Sequence, residues 1–140
     1  MVRGKIIYLG GVFDLFHFGH LSILRRAKEL GEVLVVGVLT DDGAAEYKRR
    51  PIIPYEQRLA IVKAIKYVNL AVGQPHRDPT PTLRQIRPDT LVHGDDWKED
   101  SVEWGQTWMR KSGGRVVMLP HTEGISTSEL LLELATPERP

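Results

Sequence analysis

The chain has 140 residues, a length that predicts a single domain over 1–140, and its 41% hydrophobic content is enough for a real core. The formal net charge of +1 argues against a general nucleic-acid or membrane surface, so anions must be bound by local clusters. There is no cysteine, which excludes a disulfide framework and fits a reducing cytoplasm. The first residues show neither a signal-peptide pattern nor a membrane-length apolar run, and we expect a cytoplasmic protein whose residues 135–140 form a frayed tail.

Residues 10–20, here named the histidine loop, join the first predicted strand, 5–9, to the first predicted helix, which begins at Gly19. Free N–H groups and the positive end of the helix dipole at such a junction make a site for phosphate. Glycines in the loop would let its backbone approach a ligand closely. The imidazoles of His17 and His20, one helical turn apart, are then placed to donate hydrogen bonds to one phosphate.

A histidine pair at this spacing also occurs in metal sites. Zinc would need a third ligand, yet cysteine is absent and the other histidines lie in unrelated segments: His76, His93 and His121. Phosphate binding is therefore favoured over metal ligation. The loop matches neither the GxxxxGK[ST] phosphate loop nor the dinucleotide GxGxxG fingerprint.

Charged residues follow the second predicted strand, the valine-rich run 32–39, which is typical of a strand buried on both faces. Asp41 lies in a predicted turn, 40–43, at the same sheet edge as the histidine loop. Pro51 makes a helix just before it unfavourable, so the basic residues there are predicted to form a mobile loop: Lys48, Arg49 and Arg50. This run, here named the basic segment, is either a solvated face or a set of phosphate contacts, and we favour contacts.

The next predicted element is a helix over 55–65, with an apolar face built from Leu59, Val62 and Ile65, or from Ile61 and Ala64. Arg58 is predicted on its polar side. A role near the active site and a structural ion pair are both open for this arginine.

The remaining pattern predicts strands over 67–72, 89–93 and 115–119, a loop over 73–82, and helices over 83–86, 101–112 and 129–135. Strands that alternate with helices predict an α/β fold, a single Rossmann-like doubly wound domain with a five-stranded parallel sheet. Asp95, Asp96 and Trp97 would follow the fourth strand, where ligand contacts belong. Ser126, with Glu129 three residues on, has the capping-box arrangement.

The histidine loop resembles the HxGH motif of the nucleotidyltransferase superfamily, and most closely its cytidylyltransferase family, which carries GTFDxxHxGH. Further blocks appear in family order and cover nearly the whole chain: RRPIIPYEQR at 49–58, KYV at 66–68, GDDW at 94–97 and TEGIST at 122–127. The pattern is closest to the glycerol-3-phosphate cytidylyltransferases.

The resemblance implies transfer of CMP from CTP to a phosphorylated alcohol or polyol, giving a CDP-alcohol and pyrophosphate. Mg²⁺ would accompany the triphosphate, held mainly by phosphates and water, so no protein metal site is expected. A homodimer formed near 67–72 is also implied, with neither nucleic acid nor membrane as a partner.

The resemblance also assigns roles to residues of this chain. The implied catalytic residues are His17, His20, Lys48 and Arg58. The implied nucleotide-binding residues are Gly10, Gly11, Val12, Phe13, Asp14, Gly19, Lys66, Asp95, Asp96, Trp97, His121, Thr122, Gly124, Ile125, Ser126 and Thr127. The implied acceptor-binding residues are Asp41, Lys48, Arg49 and Arg50. Lys66 and His121 stand where the family has arginine, and lysine loses the guanidinium fork that binds oxygens bidentately.

Two alternatives stay open. The segment 79–119, with its PDTLVHGDD and GGRVVML blocks, also resembles the adenylyltransferase of ADP-heptose synthesis, which would make ATP the donor and a heptose 1-phosphate or other sugar phosphate the acceptor. From a different class, the domain would bind nucleotide as a regulatory module without turnover.

Overall fold

The computed structural model describes residues 4–94, 105–120 and 127–135. Within them, five parallel strands form one sheet in the order β3-β2-β1-β4-β5. The strands are β1 Ile6–Gly11, β2 Val33–Leu39, β3 Leu70–Gln74, β4 Thr90–Gly94 and β5 Arg115–Leu119. The helices are α1 Phe18–Lys28, α2 Asp41–Ala45, α3 Tyr55–Lys63, α4 Thr80–Ile86, α5 Gln106–Lys111 and α6 Thr127–Ala135. The predicted fold class, an α/β domain with a five-stranded parallel sheet, is confirmed.

The sheet has an apolar core on each face because alternate strand residues point to opposite sides. One cluster packs β1 and β2 residues such as Ile7 and Val36 against α1 and α3. The other packs Tyr8, Val35 and their neighbours against α4 and α5. We refer to these as the α1 face and the α4 face.

The strand order places the crossover reversal between β1 and β4. From β1 the chain moves outward through β2 to β3, and α4 then returns it to β4 on the other side of β1. In doubly wound sheets ligands bind at the carboxyl ends of the strands, at this reversal. The histidine loop leaves β1 at that point.

Three predicted element boundaries and one predicted helix face are wrong, each for a local reason. The third strand is Leu70–Gln74 and not 67–72, since Gly73 continues the strand, with the space beside it taken by the Tyr55 side chain. The predicted turn 40–43 opens α2, because Thr40 caps that helix through the N–H of Gly43. Helix α4 starts at Thr80, with a proline in its first turn, and not at 83.

The fourth error concerns Arg58, which was predicted on the polar side of its helix. Its side chain is wholly buried, while Val62 lies in the core and Ile61 is exposed, so the first of the two predicted apolar faces is the packed one. The start of the predicted 101–112 helix and the proposed cap Ser126 lie outside the described residues. In the described part of the chain, no helix combines the length and apolar character needed to cross a membrane.

Candidate active site

The histidine loop bends sharply as it leaves β1. Phe13 and Leu15 have positive φ angles of 56° and 48°, a region in which non-glycine residues are uncommon and which costs about 1–2 kcal/mol per residue. A Cβ on Gly11 would lie 2.9 Å from the Phe13 ring, so the missing side chain leaves room for that ring. Phe13 is buried and in turn contacts the ring of His20, with 5.4 Å between centroids.

His17 and His20 cap the start of α1 reciprocally. Nδ1 of His17 accepts from the N–H of Gly19 at 3.0 Å, and Nδ1 of His20 accepts from the N–H of His17 at 3.1 Å. A neutral imidazole that accepts at Nδ1 carries its proton on Nε2. Each ring therefore presents an Nε2–H donor, and the two rings stack with centroids 3.9 Å apart.

Both rings are held in the neutral form. Burial lowers the pKa of His17 below its ordinary value. The pKa of His20 is lowered to about 3, mainly by burial and also by electrostatic interaction with His17 and Lys48, while Asp14 acts in the opposite direction. Near pH 7 the pair consequently offers hydrogen-bond donors without a net positive charge. The positive charge must come from neighbouring cations.

Asp14 fastens the basic segment to the histidine loop. Its carboxylate is 4% exposed and accepts from the N–H groups of Ile52 and Ile53 and from the Arg49 guanidinium, all at 2.9–3.0 Å. Burial alone would raise the pKa of Asp14, but these hydrogen bonds and the Arg49 charge hold it below the ordinary value. The predicted mobile loop is thus attached at Arg49, while Arg50 pairs with the exposed Asp42 at 3.1 Å.

Arg58 connects the ends of two strands. Its guanidinium group donates to four acceptors at 2.7–2.8 Å: the carbonyls of Val12, Leu39 and Ile53, and the carboxylate of Asp41. The structural ion pair is therefore present. With no exposed surface, the side chain fixes the loops after β1 and β2, and its predicted catalytic role stays a prediction.

The other predicted residues fall into three groups. Lys48 is exposed and close enough to His20 for its charge to affect that ring, and Thr127 at the start of α6 donates to the carbonyl of Asp14 at 2.9 Å. Lys66 lies in the turn before β3, at the amino edge of the sheet, so a single chain does not bring it to the histidine loop. Outside the described residues are Asp95, Asp96, Trp97, His121, Thr122, Gly124, Ile125 and Ser126.

Sequence reasoning missed two features. The first is the function of Asp14 as the acceptor that holds residues 49–53, for which the only signal was its position inside the loop motif. The second is a buried hydrogen bond between Tyr8 and Gln74, which no pattern in the sequence indicates. Among the described residues, no group of three or more histidine, aspartate or glutamate side chains is placed to hold a metal ion.

Known proteins resemble this chain over most of its length. The family model described as cytidylyltransferase-like matches residues 8–131. The bifunctional protein HldE of Magnetococcus marinus is 35% identical over 94% of the chain, and the ethanolamine-phosphate cytidylyltransferase of Dictyostelium discoideum is 37% identical over 89%. The chain covers only 27% and 35% of the lengths of those two proteins.

One solved structure shares the fold closely. It is the lipopolysaccharide core biosynthesis protein from Thermoplasma volcanium, with a TM-score of 0.74 and 32% identity. The match covers 86% of this chain and 98% of that one.

Proposed function

Because this chain belongs to the cytidylyltransferase-like family, we propose that it transfers a nucleoside monophosphate from a nucleoside triphosphate to a phosphorylated alcohol or sugar. The observation that supports this activity most directly is the reciprocal cap of His17 and His20. It holds two Nε2–H donors at the start of α1, next to the crossover reversal of the sheet.

The reaction needs no enzyme nucleophile. A phosphate oxygen of the acceptor attacks the α-phosphorus of the triphosphate in line; one P–O bond forms, the α–β P–O bond breaks, and pyrophosphate leaves with the electron pair. The histidine donors and Lys48 would stabilise charge on the phosphoryl oxygens, which is where such enzymes lower the barrier. Arg58 is proposed to act through its neighbours as a positioning residue, since its guanidinium is wholly buried and already donates to four protein acceptors.

The proposed donor is the magnesium complex of CTP. The GDDW and TEGIST blocks favour cytidine, whereas the match to HldE and to a lipopolysaccharide core biosynthesis protein keeps ATP and a sugar phosphate as the alternative. The Asp14 carboxylate is already occupied by three protein donors, so Mg²⁺ is proposed to arrive on the triphosphate.

Pyrophosphate release tests the proposal. CTP and ATP are each assayed with Mg²⁺ against glycerol 3-phosphate, ethanolamine phosphate and a panel of sugar phosphates. We expect release that depends on the acceptor, and with CTP and ATP at equal concentration we expect CTP to be preferred. Preference for ATP would favour the alternative donor. Nucleotide binding without release under all conditions would favour a regulatory module.

We also propose that the protein is cytoplasmic and that it forms a homodimer through β3. In the described sheet, β3 is an edge strand, and Leu70 on it is half exposed. Sedimentation velocity at micromolar concentration should show a dimer that Leu70→Lys weakens. Met118→Lys is the matched control, because Met118 is similarly exposed on β5 at the other edge. A wild-type monomer, with or without nucleotide, would contradict the proposal.

A further inference from the structure

Two glycines open a gap on the α4 face of the sheet, close to its carboxyl edge. Gly10 of β1 and Gly37 of β2 are register partners. A Cβ on Gly37 would collide with the Tyr8 hydroxyl, and a Cβ on Gly10 would collide with Oε1 of Gln74. The Tyr8 hydroxyl and the Gln74 amide oxygen therefore occupy the space that side chains at the two glycine positions would need.

Tyr8 and Gln74 meet in this gap across an intervening strand. The Tyr8 hydroxyl, on β1, donates to Oε1 of Gln74, on β3, at 2.5 Å, and β2 lies between them. Tyr8 is wholly buried and Gln74 is 3% exposed. Nε2 of Gln74 then donates to the carbonyls of His76 and Arg77, at 2.8 and 3.3 Å. The glutamine thus links the centre of the sheet to the segment that follows β3.

That segment is joined in turn to the residues after β2. The N–H of Thr40 donates to the carbonyl of Gln74 at 3.1 Å, and the N–H of Arg77 donates to Glu46 at 2.9 Å. The Arg77 guanidinium also lies 4.6 Å from the centroid of the Tyr47 ring. Residues 40–47 and 74–77 together form what we name the β2–β3 wall, and the basic segment follows it directly in the chain.

The proposed reaction places the acceptor beside this wall. Apart from Lys66, the implied nucleotide-binding residues lie at the end of β1 or follow β1, β4 and β5 in the chain, whereas the implied acceptor contacts follow β2. In-line attack requires acceptor and pyrophosphate on opposite sides of the α-phosphorus. A nucleotide bound over the carboxyl ends of β1, β4 and β5 leaves the carboxyl ends of β2 and β3 as the place for the acceptor.

We propose that Gln74 is a positioning residue for the acceptor: with Tyr8 it holds the β2–β3 wall, and thereby the basic segment, at the distance that the phosphorylated acceptor requires. This rests on the proposed function. Gln74 acts through the wall and does not touch the acceptor, since its amide is buried and its donors are occupied by backbone carbonyls.

The test compares Tyr8→Phe and Gln74→Met with the wild type in steady-state kinetics that vary acceptor and nucleotide separately. Each change removes hydrogen bonds while keeping the bulk of the side chain. We expect the KM for the acceptor to rise about tenfold while the KM for the nucleotide changes less than about twofold. The double variant should be no worse than Gln74→Met, because both changes break the same link.

Val35→Ala is the matched control, because Val35 pairs in register with Tyr8 and is buried in the same core without belonging to the link. It should lower thermal stability and leave the KM for the acceptor unchanged. If Gln74→Met fails to fold, the milder Tyr8→Phe decides. Equal changes in both KM values, an unchanged KM for the acceptor, or the same pattern in Val35→Ala would overturn this assignment alone. A wild type inactive with every donor and acceptor would overturn the proposed function and this assignment with it.

Discussion

At the scale of single residues, the proposed function gives His17 and His20 two roles that use different ring atoms. Nδ1 of each ring satisfies a backbone N–H at the start of α1, and Nε2 keeps a proton for a ligand. In the proposed function, stability and catalysis depend on the same side chains, and a useful variant must separate the two.

His17→Ala and His20→Ala are each expected to lower kcat about 10²–10³-fold, because losing one preorganised donor to the reacting oxygens costs about 2.7–4 kcal/mol. His17→Ala should also lower stability by ~1 kcal/mol through the lost cap. His17→Asn separates these effects, since asparagine caps helices well but does not reproduce the Nε2–H donor: stability should return while kcat stays low. Near-normal kcat in either alanine variant would refute that histidine's assignment.

The apolar pattern that begins near Gly19 was enough to predict a helix start at the two histidines, and their spacing placed both imidazoles within one turn. The donors to Asp14 show why other contacts could not be predicted from the sequence. Its carboxylate binds backbone N–H groups of Ile52 and Ile53, nearly forty residues away. Every residue except proline has a backbone N–H, so the pattern of side chains does not indicate which N–H groups this aspartate binds. Only the folded chain shows that it holds the basic segment.

At the scale of elements, α3 shows how periodicity assigns the wrong face to a buried charge. The helix lies within two residues of its predicted bounds, and Val62 faces the core as expected. Arg58 was placed on the polar side because arginine counts as polar in such a pattern. Its burial depends on four acceptors, from the loop after β1, the end of β2, the start of α2 and the segment before α3, which the sequence of one helix does not contain.

Replacing Arg58 by methionine should lower the free energy of unfolding by about 3 kcal/mol or more, since Asp41 and three backbone carbonyls lose their donor. Denaturant unfolding measures this. Arg84→Met is the control: Arg84 is an exposed arginine of α4, and its loss should change stability by less than about 0.5 kcal/mol. Equal stability of the two variants would show that the Arg58 contacts make no net contribution to the free energy of unfolding.

At the scale of the whole molecule, alternation of strands and helices predicted a parallel sheet, and the carboxyl-edge rule predicted that the residues after β1 and β2 meet. The Arg49–Asp14 ion pair and the hydrogen bond from Arg58 to the Val12 carbonyl bear that out. Lys66 is a residue whose position the family resemblance alone did not predict. The same rule puts a residue that precedes β3 at the opposite edge, so a motif match alone did not locate it relative to the histidine loop.

The stability of the whole chain should fall as the pH drops below neutral, because the folded state keeps His20 neutral. The pKa of this ring is about 3 in the folded chain and near 6.5 when unfolded. Above pH 6.5 both states are neutral and the contribution is complete; between 6.5 and 3 only the unfolded state takes up the proton, so the free energy of unfolding falls with pH. Asp14, whose pKa lies below 3.8 when folded, adds a second loss only below that value.

Denaturant unfolding at several pH values from 7.5 to 4.2 separates the two groups, since Asp14 contributes little there. His20→Asn removes the titrating ring and should flatten the dependence relative to the wild type. His76→Asn, which replaces an exposed histidine on the β2–β3 wall, is the matched control for a histidine-to-asparagine change. Parallel curves for wild type and His20→Asn would mean that the ring is protonated in the folded chain as readily as in the unfolded one. Neutral Nε2–H donors would then be the wrong description of the site.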